Sequence, residues 1–456
     1  MTNVMNINHE DIDDSEKCGK YTISIIECNK TGFLHAYLFA EAGFKVIGVS
    51  TNPHMLRLLK RGRISFFRKT NYMLEKYVKN EKFSASSDVR KATSESDIII
   101  VATSATIDRR KKPDYSSLER TCKEIGMGLK KDSLVLFVSS TGPGIVEGSM
   151  QGILEKASGL KAGVDFLVAS SPFQTNSLEK IDEASKISRV VGAIDQKSLQ
   201  AASLLLKRIT NSDIVEVNSI KTVEAINLFQ GVKKEIRQAL ANELAFLSEK
   251  LKIDYLKAVE ATHRNGEFPL PHPGLVNSSA RRGLYMLQEE AENVNLNLRL
   301  THLARRINDQ IAEHVLHLVK DALKTCGKTV KRSKVSVLGI SRHPNVKDTP
   351  DALTKKIVNL LKRKVRTVQI YDPFFSLKEL TELGFEADQL SKIIEKTDCL
   401  IILTAHSKFE RLNLRKAKLL AKKSPAIVDI SYVIDPLKAE KYGFVYRGLG
   451  RGIWTK

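Results

Sequence analysis

The first part of the chain alternates between short apolar runs and amphipathic stretches. A β-branched run, YTISII, begins at Tyr21 and ends near Glu27, and a helical stretch over 33–42 closes at Gly43. The run KVIGV follows, and further apolar runs lie at 97–102, 134–138 and 166–169, with helical periodicity between them. Strands that alternate with helices in this way predict a parallel sheet with helices on both faces.

The middle of the chain changes to a purely helical period. From Lys221 to Leu256 apolar positions recur with helical spacing, and no proline interrupts them. After a basic segment at 324–334, strands and helices alternate again. We therefore predict the α/β class, with two Rossmann-like parallel-sheet domains joined by a central helical domain. The predicted boundaries are a flexible tail at 1–20 and domains at 21–210, 211–325 and 326–456.

Composition agrees with a globular protein of several domains. A chain of 456 residues exceeds what one hydrophobic core usually organises, and its 42% hydrophobic and 27% charged content is ordinary for a globular protein. No apolar run reaches the roughly 20 residues that a membrane helix needs. The acidic stretch from Glu10 to Glu16 is unlike a signal peptide. We expect a cytoplasmic protein without a membrane partner.

The cysteines and the net charge each limit the chemistry. The five cysteines are too scattered for a metal site or a disulfide framework, so we expect reduced cysteines and no metal. The net charge of +21 favours phosphate-bearing or polyanionic partners in general. Its basic clusters lie at 109–112, 328–334, 362–366 and 415–423, and each of them alone is better explained as a solvated surface.

The segment PHPGLVNSSARRGLYML, at 271–287, carries a family resemblance. It is similar to the PGPGVGGHCIPVDPYYL substrate loop of the UDP-glucose/GDP-mannose dehydrogenases, and it keeps Pro271, Pro273 and Gly274. Ser279 stands where that family has its catalytic cysteine, and Gly283 stands where it has an aspartate. Proline and glycine also shape loops without any ligand, so loop shaping and substrate contact stay open. The substrate-binding candidates are Lys234, Pro273, Gly274, Asn277, Ser278 and Ser279.

The resemblance implies an N-terminal NAD-binding domain, but its glycine turn is degraded. The family pattern G-x-G-x-x-G falls on 27–32, where only Gly32 remains, and Glu27 and Asn29 add side chains where a pyrophosphate needs space. Ser50 replaces the ribose-binding acid, which fits either NADP or, more simply, loss of that contact. The cofactor, if any, is NAD or NADP, and the candidate contacts are Gly32, Ser50, Thr103, Ser139 and Ser140.

The catalytic set that the resemblance implies is also altered. VEAINLFQGVKKEIRQALANELA resembles the family's central helix, whose lysine, asparagine and arginine become Asn227, Gly231 and Lys234. Phe173 stands where the family has its general acid/base glutamate. Serine needs a neighbouring base to become a nucleophile, and none lies near Ser279 in sequence. No family-equivalent catalytic position therefore keeps its chemistry.

Three hypotheses follow for the function. The first is a non-catalytic family member, or pseudoenzyme, that forms a homodimer or pairs with an active relative, binds a nucleotide-sugar and belongs to polysaccharide biosynthesis. The alternative is an active NAD(P)-dependent oxidoreductase that acts on the CH-OH group of a UDP- or GDP-sugar by altered chemistry. The third is a binder of nucleic acid or another polyanion, which ranks last because the chain lacks a nucleic-acid motif.

Overall fold

The structure is a computed structural model of the 456-residue chain. It describes residues 4, 9–12, 14–64, 74–108, 110–173, 181–263, 270–276 and 278–454. The chain forms two compact units. The first contains Met1–Gly231 and Arg282–Asn297, and the second contains Val232–Arg281 and Leu298–Lys456.

The first unit is built on an eight-stranded sheet in the order β10-β9-β8-β7-β4-β1-β2-β3, next to a two-stranded ribbon of β5 and β6. Six neighbouring strands run parallel, and the edge strands β9 and β10 run antiparallel to them. The strands are β1 (Thr22–Ile26), β2 (Lys45–Val49), β3 (Phe83–Ser86), β4 (Ile98–Val101), β5 (Thr106–Ile107), β6 (Pro113–Asp114), β7 (Leu134–Phe137), β8 (Leu167–Ser170), β9 (Arg189–Ala193) and β10 (Ile214–Val217).

Helices cover both faces of this sheet because its strands are apolar on both sides. Ile98 and Ile100 of β4 point into one core, whereas Ile99 and Val101 point into the other. The helices up to this point of the chain are α1 (His9–Ile12), α2 (Ser15–Cys18), α3 (Lys30–Glu41), α4 (Pro53–Lys60), α5 (Glu75–Lys79), α6 (Val89–Ser94), α7 (Ser116–Gly128), α8 (Gln151–Ser158) and α9 (Gln196–Lys207).

The predicted tail at 1–20 is partly folded. Val4, Ile12 and Cys18 are at most 3% exposed and belong to the core of the first unit. The Cys18 thiol donates to the carbonyl of Ile12 over 3.3 Å. These residues are therefore part of the first unit rather than a flexible tail, because three apolar side chains find buried positions.

The second unit carries a five-stranded parallel sheet in the order β12-β11-β13-β14-β15. Its strands are β11 (Lys334–Leu338), β12 (Thr367–Tyr371), β13 (Cys399–Ile402), β14 (Ala426–Asp429) and β15 (Val445–Gly448).

The remaining helices of the chain follow β10, and α10 and α12 contain residues of both units. They are α10 (Ile220–Leu251), α11 (Tyr255–His263), α12 (Ser278–Asn293), α13 (Arg299–Asp309), α14 (Ile311–Thr325), α15 (Ala352–Lys362), α16 (Leu377–Glu382), α17 (Leu390–Ile394), α18 (Ser407–Glu410), α19 (Leu414–Leu420) and α20 (Pro436–Lys441). Two sheets with a long central helix confirm the predicted fold class.

Two predicted helix boundaries are wrong for local reasons. Helix α3, which was predicted over 33–42, begins at Lys30 because the Asn29 side chain caps it. The central helix ends at Leu251 rather than at Leu256, because Lys252 adopts a left-handed conformation with φ 60°. In the described part of the chain, no helix is both long and apolar enough to cross a membrane.

Candidate active site

The candidate dinucleotide site lies where the strand order of the first sheet reverses. β1 and β4 are neighbours, and the chain proceeds outward from them in opposite directions. In open α/β sheets this reversal leaves a crevice at the carboxyl ends of the strands, where ligands usually bind. Segments 27–32 after β1, Ser50 after β2 and 102–104 after β4 lie at this edge.

The Asn29 side chain is hydrogen-bonded to the backbone N–H groups that a pyrophosphate would need in this crevice. Its Oδ1 accepts hydrogen bonds from the backbone N–H groups of Thr31 and Gly32, at 3.0 and 3.1 Å. Its Nδ2 donates to the carbonyl of Ala102, at the end of β4, over 2.7 Å. One carboxamide therefore caps α3 and ties it across the crevice to β4. Free N–H groups at this helix end are what makes it an anion site.

Glu27 keeps the backbone of the family's first glycine but adds a carboxylate. Its φ of 69° is left-handed, a conformation that favours glycine. Burial raises the pKa of the Glu27 carboxyl, and a hydrogen bond with Ser50 opposes that rise. Ser50 itself is only 1% exposed. A Cβ on Gly32 would lie 2.3 Å from the Glu27 carbonyl oxygen, so Gly32 is required by the tight turn with or without a cofactor.

These residues do not fit a dinucleotide. Two helix N–H groups are bonded to Asn29, Glu27 brings a carboxylate, and Ser50 is buried against Glu27 instead of facing a ribose. A pyrophosphate would have to break the Asn29 bonds and approach a carboxylate. We therefore derive no hydride-transfer step from this site.

A second polar group lies at the carboxyl ends of β4 and β7. Asn227 of α10 donates from its Nδ2 to the Ser140 hydroxyl over 2.6 Å, and Ser104 donates to Ser139 over 3.4 Å. Thr103 instead donates to Thr121 of α7 over 3.4 Å. The structure thus brings Asn227 and Ser140 together, whereas Thr103 bonds to a neighbouring helix.

Glu224 is a residue of this region that sequence reasoning did not select as a site residue. It is fully buried, and its carboxylate accepts from the Thr141 hydroxyl at 2.7 Å, from Gly144 N at 2.6 Å and from Val146 N at 3.2 Å. Burial raises the pKa of Glu224 to about 7, although these hydrogen bonds lower it. Its place in the central-helix motif was the signal available in the sequence. The carboxylate fastens the start of α10 to the segment after β7.

Phe173 is part of the hydrophobic core. Its ring is 8% exposed, and the Arg189 guanidinium carbon lies 3.8 Å from the ring centroid. Arg189 is 1% exposed, and its Nη1 lies 3.0 Å from His35 Nε2. Burial, together with the charge of Arg189, lowers the pKa of His35 to about 3, so His35 is neutral and accepts this bond. An aromatic ring stacked on a buried cation supplies no proton at the position of the family's glutamate.

The other family-equivalent positions lack side chains or lie apart from these groups. Gly231 is buried on α10, one turn after Asn227, and the exposed Lys234 follows it. Gly283 lies inside α12, where an added Cβ would lie 3.4 Å from Leu228. Ser278 and Ser279 fall in the first turn of α12. Asn277 lies outside the described residues.

The Pro-x-Pro-Gly loop of the second unit is held through its backbone. Asn242 accepts from Gly274 N at 2.7 Å and donates to the Gly274 carbonyl at 3.2 Å. The Tyr432 hydroxyl lies 3.1 Å from the Pro273 carbonyl and 3.0 Å from the Leu449 carbonyl, so these two acceptors share its one proton. The Tyr255 hydroxyl donates to the Pro271 carbonyl over 3.1 Å. These contacts hold the loop in the structure through backbone groups, and the φ of 156° at Gly274 favours glycine there.

The comparisons with known proteins agree with this architecture. The NAD binding domain of the UDP-glucose/GDP-mannose dehydrogenase family matches residues 21–210, and the UDP binding domain of the same family matches residues 336–436. Together they cover more than half of the chain. The protein belongs to the UDP-glucose/GDP-mannose dehydrogenase family.

Individual relatives resemble almost the whole chain. The UDP-N-acetyl-D-mannosamine dehydrogenase of Pyrococcus horikoshii is 26% identical, over 94% of this chain and 99% of its own. Protein CapL of Staphylococcus aureus is 28% identical, over 91% and 96%. The solved structure of a UDP-D-ManNAc dehydrogenase from Pyrococcus horikoshii superposes with a TM-score of 0.86 at 24% identity, over 95% of this chain and all of that chain, and shows the shared fold. Among the described residues, no three His, Cys, Asp or Glu side chains converge as metal ligands.

The raised pKa of Glu224 predicts a pH-dependent contribution to stability. Between about pH 4.5 and pH 7 the folded protein holds a proton on Glu224 that the unfolded chain releases. The free energy of unfolding therefore falls as pH rises through this range, by on the order of 3 kcal/mol from this group. Urea unfolding should show that Glu224→Gln removes this slope, whereas Glu216→Gln, at an exposed carboxyl on β10, leaves it. Equal slopes in the two variants would contradict the assignment.

Proposed function

We propose that this protein is a non-catalytic member of the nucleotide-sugar dehydrogenase family that has lost dinucleotide binding. The observation that carries the proposal is the Asn29 carboxamide, which bonds Thr31 N, Gly32 N and the Ala102 carbonyl in the dinucleotide crevice. A helix end whose N–H groups are already bonded has little left to offer a phosphate.

The positions that would carry the chemistry support the same proposal. Phe173 lies in the core on Arg189, and Gly231 has no side chain to stabilise an oxyanion. Oxyanion stabilisation commonly supplies a large part of the rate enhancement. The acid/base group, the oxyanion group and the cofactor site are all altered. A single loss of activity is the simplest explanation for the three changes.

The ligand that we propose for the retained scaffold is a nucleotide-sugar. The relatives are named for UDP-N-acetylhexosamines, and the second unit matches the family's UDP binding domain. In the second sheet the reversal lies between β11 and β13, which offers a second crevice of the same type. The nucleotide-sugar would be held there without being oxidised.

One observation favours the runner-up, an active oxidoreductase with altered chemistry. Asn227 and Ser140 still form a polar pair at the carboxyl edge of the first sheet, at 2.6 Å. An oxidation that stops at the aldehyde needs no nucleophile, so a substitution at Ser279 alone would not prevent it. It does need a dinucleotide, however, which separates the two proposals experimentally.

Turnover and thermal unfolding with ligand panels test the proposal together. We expect no NADH or NADPH formation with UDP- or GDP-sugars, no change in Tm with either dinucleotide, and a rise in Tm with at least one nucleotide-sugar, because a ligand of the native state stabilises it. The Pyrococcus horikoshii relative serves as the positive control. Turnover that Asn227→Ala abolishes would instead establish the runner-up.

We also propose that α10 pairs with a second copy of this chain. Leu240, Leu247 and Leu251 lie on one face of the helix and are 44%, 51% and 57% exposed. Three leucines in one exposed stripe are typical of a helix with a partner. Sedimentation should give a dimer that Leu247→Asp dissociates, whereas Val164→Asp, at a more exposed site of the first unit, leaves it intact. A monomeric wild type would contradict the proposal.

A further inference from the structure

Basic side chains line one edge of the second sheet. β12, β11, β13 and β14 are parallel neighbours, so their amino ends meet at the edge opposite the ligand crevice. Exposed lysines and arginines come just before those strand starts. We call this set the basic edge, and its members are Lys331, Arg332, Arg366, Lys396, Lys422 and Lys423.

Backbone hydrogen bonds hold the basic edge together as one surface. Arg366 N donates to the Ser333 carbonyl over 3.0 Å, and Lys422 N donates to the Thr397 carbonyl over the same distance. Four neighbouring strands, each roughly 4.8 Å from the next, give the edge a width of about 15 Å. The charges therefore form a continuous row rather than separate clusters.

The carboxylate at the centre of the row is already paired. Asp398 is 3% exposed and takes ion pairs from Lys328 at 2.9 Å and from Lys422 at 2.6 Å. It also accepts from Lys334 N at 2.8 Å. Glu395 adds one exposed acid beside Lys396. The remaining positive charge of the basic edge faces solvent.

An apolar side chain projects from the same surface. Leu419, at the end of α19, is 79% exposed, the largest value among the big apolar side chains that the structure describes. Lys396 N donates to the carbonyl of Leu420 over 2.9 Å, which places Leu419 beside the row. A single exposed leucine is ordinary on a protein surface, but beside a row of lysines and arginines it has the position that a lipid headgroup contact requires.

We propose, contrary to the expectation from the sequence of no membrane partner, that the basic edge docks on the surface of an anionic lipid bilayer, with Leu419 entering the headgroup region. Juxtaposed lysines and arginines attract anionic lipids, and a spanning helix is not required for this mode of binding. Four of the six basic residues are lysines, which act as point charges without the planar geometry that suits base recognition.

Co-sedimentation of the full chain with vesicles tests the proposal. We expect binding to phosphatidylcholine vesicles that contain phosphatidylserine, weakening as salt rises, and no binding to pure phosphatidylcholine. The triple variant Arg332→Glu, Lys396→Glu, Lys423→Glu should reduce binding by at least about tenfold. Leu419→Ser should reduce it at high salt, where the apolar contribution remains.

A matched control separates the basic edge from net charge. Lys60→Glu, Lys82→Glu, Lys156→Glu makes the same charge change at exposed positions of the first unit, and we expect it to bind vesicles nearly as the wild type does. Unaltered thermal unfolding shows that each variant is folded. Equal losses in the two triple variants would overturn the proposal. Binding to duplex DNA but not to anionic vesicles would overturn it as well.

Discussion

The structure of the candidate cofactor site depends on one carboxamide. Asn29 ends the extended segment before α3, bonds the first N–H groups of that helix and reaches the Ala102 carbonyl across the strand reversal. Capping of this type contributes about 1 kcal/mol. The helix end at which the family resemblance implies a pyrophosphate thus has an internal hydrogen-bonding partner.

Internal contacts also hold other segments near the candidate sites. The ring of Phe173 covers Arg189 in the core of the first unit. In the second unit, Tyr432 holds the loop at Pro273 through its hydroxyl. At Phe173, as at Asn29, the fold thus has an internal contact where the family resemblance implies a catalytic or binding group.

The fold was predictable from the sequence, whereas the side-chain arrangement at the site was not. Uninterrupted runs such as that at 98–101 are apolar on both faces, which only a covered parallel sheet accommodates. The sequence showed that only Gly32 remains of the three glycines of the turn. It did not show that the Asn29 side chain donates a hydrogen bond to the carbonyl of Ala102, 73 residues further on. The burial of Arg189 also depends on tertiary contacts that no local pattern encodes.

Calorimetric titration with NAD tests the central claim most directly. Three proteins are compared: the wild type, a double variant that carries both Glu27→Gly and Asn29→Gly, and the single variant Asn413→Gly. The single variant removes the equivalent side-chain cap of α19. The account predicts no binding heat for the wild type or for Asn413→Gly, and measurable binding for the double variant, in which the helix N–H groups are free and the carboxylate is gone. Saturable binding of NAD by the wild type, as tight as that by the double variant, would contradict it.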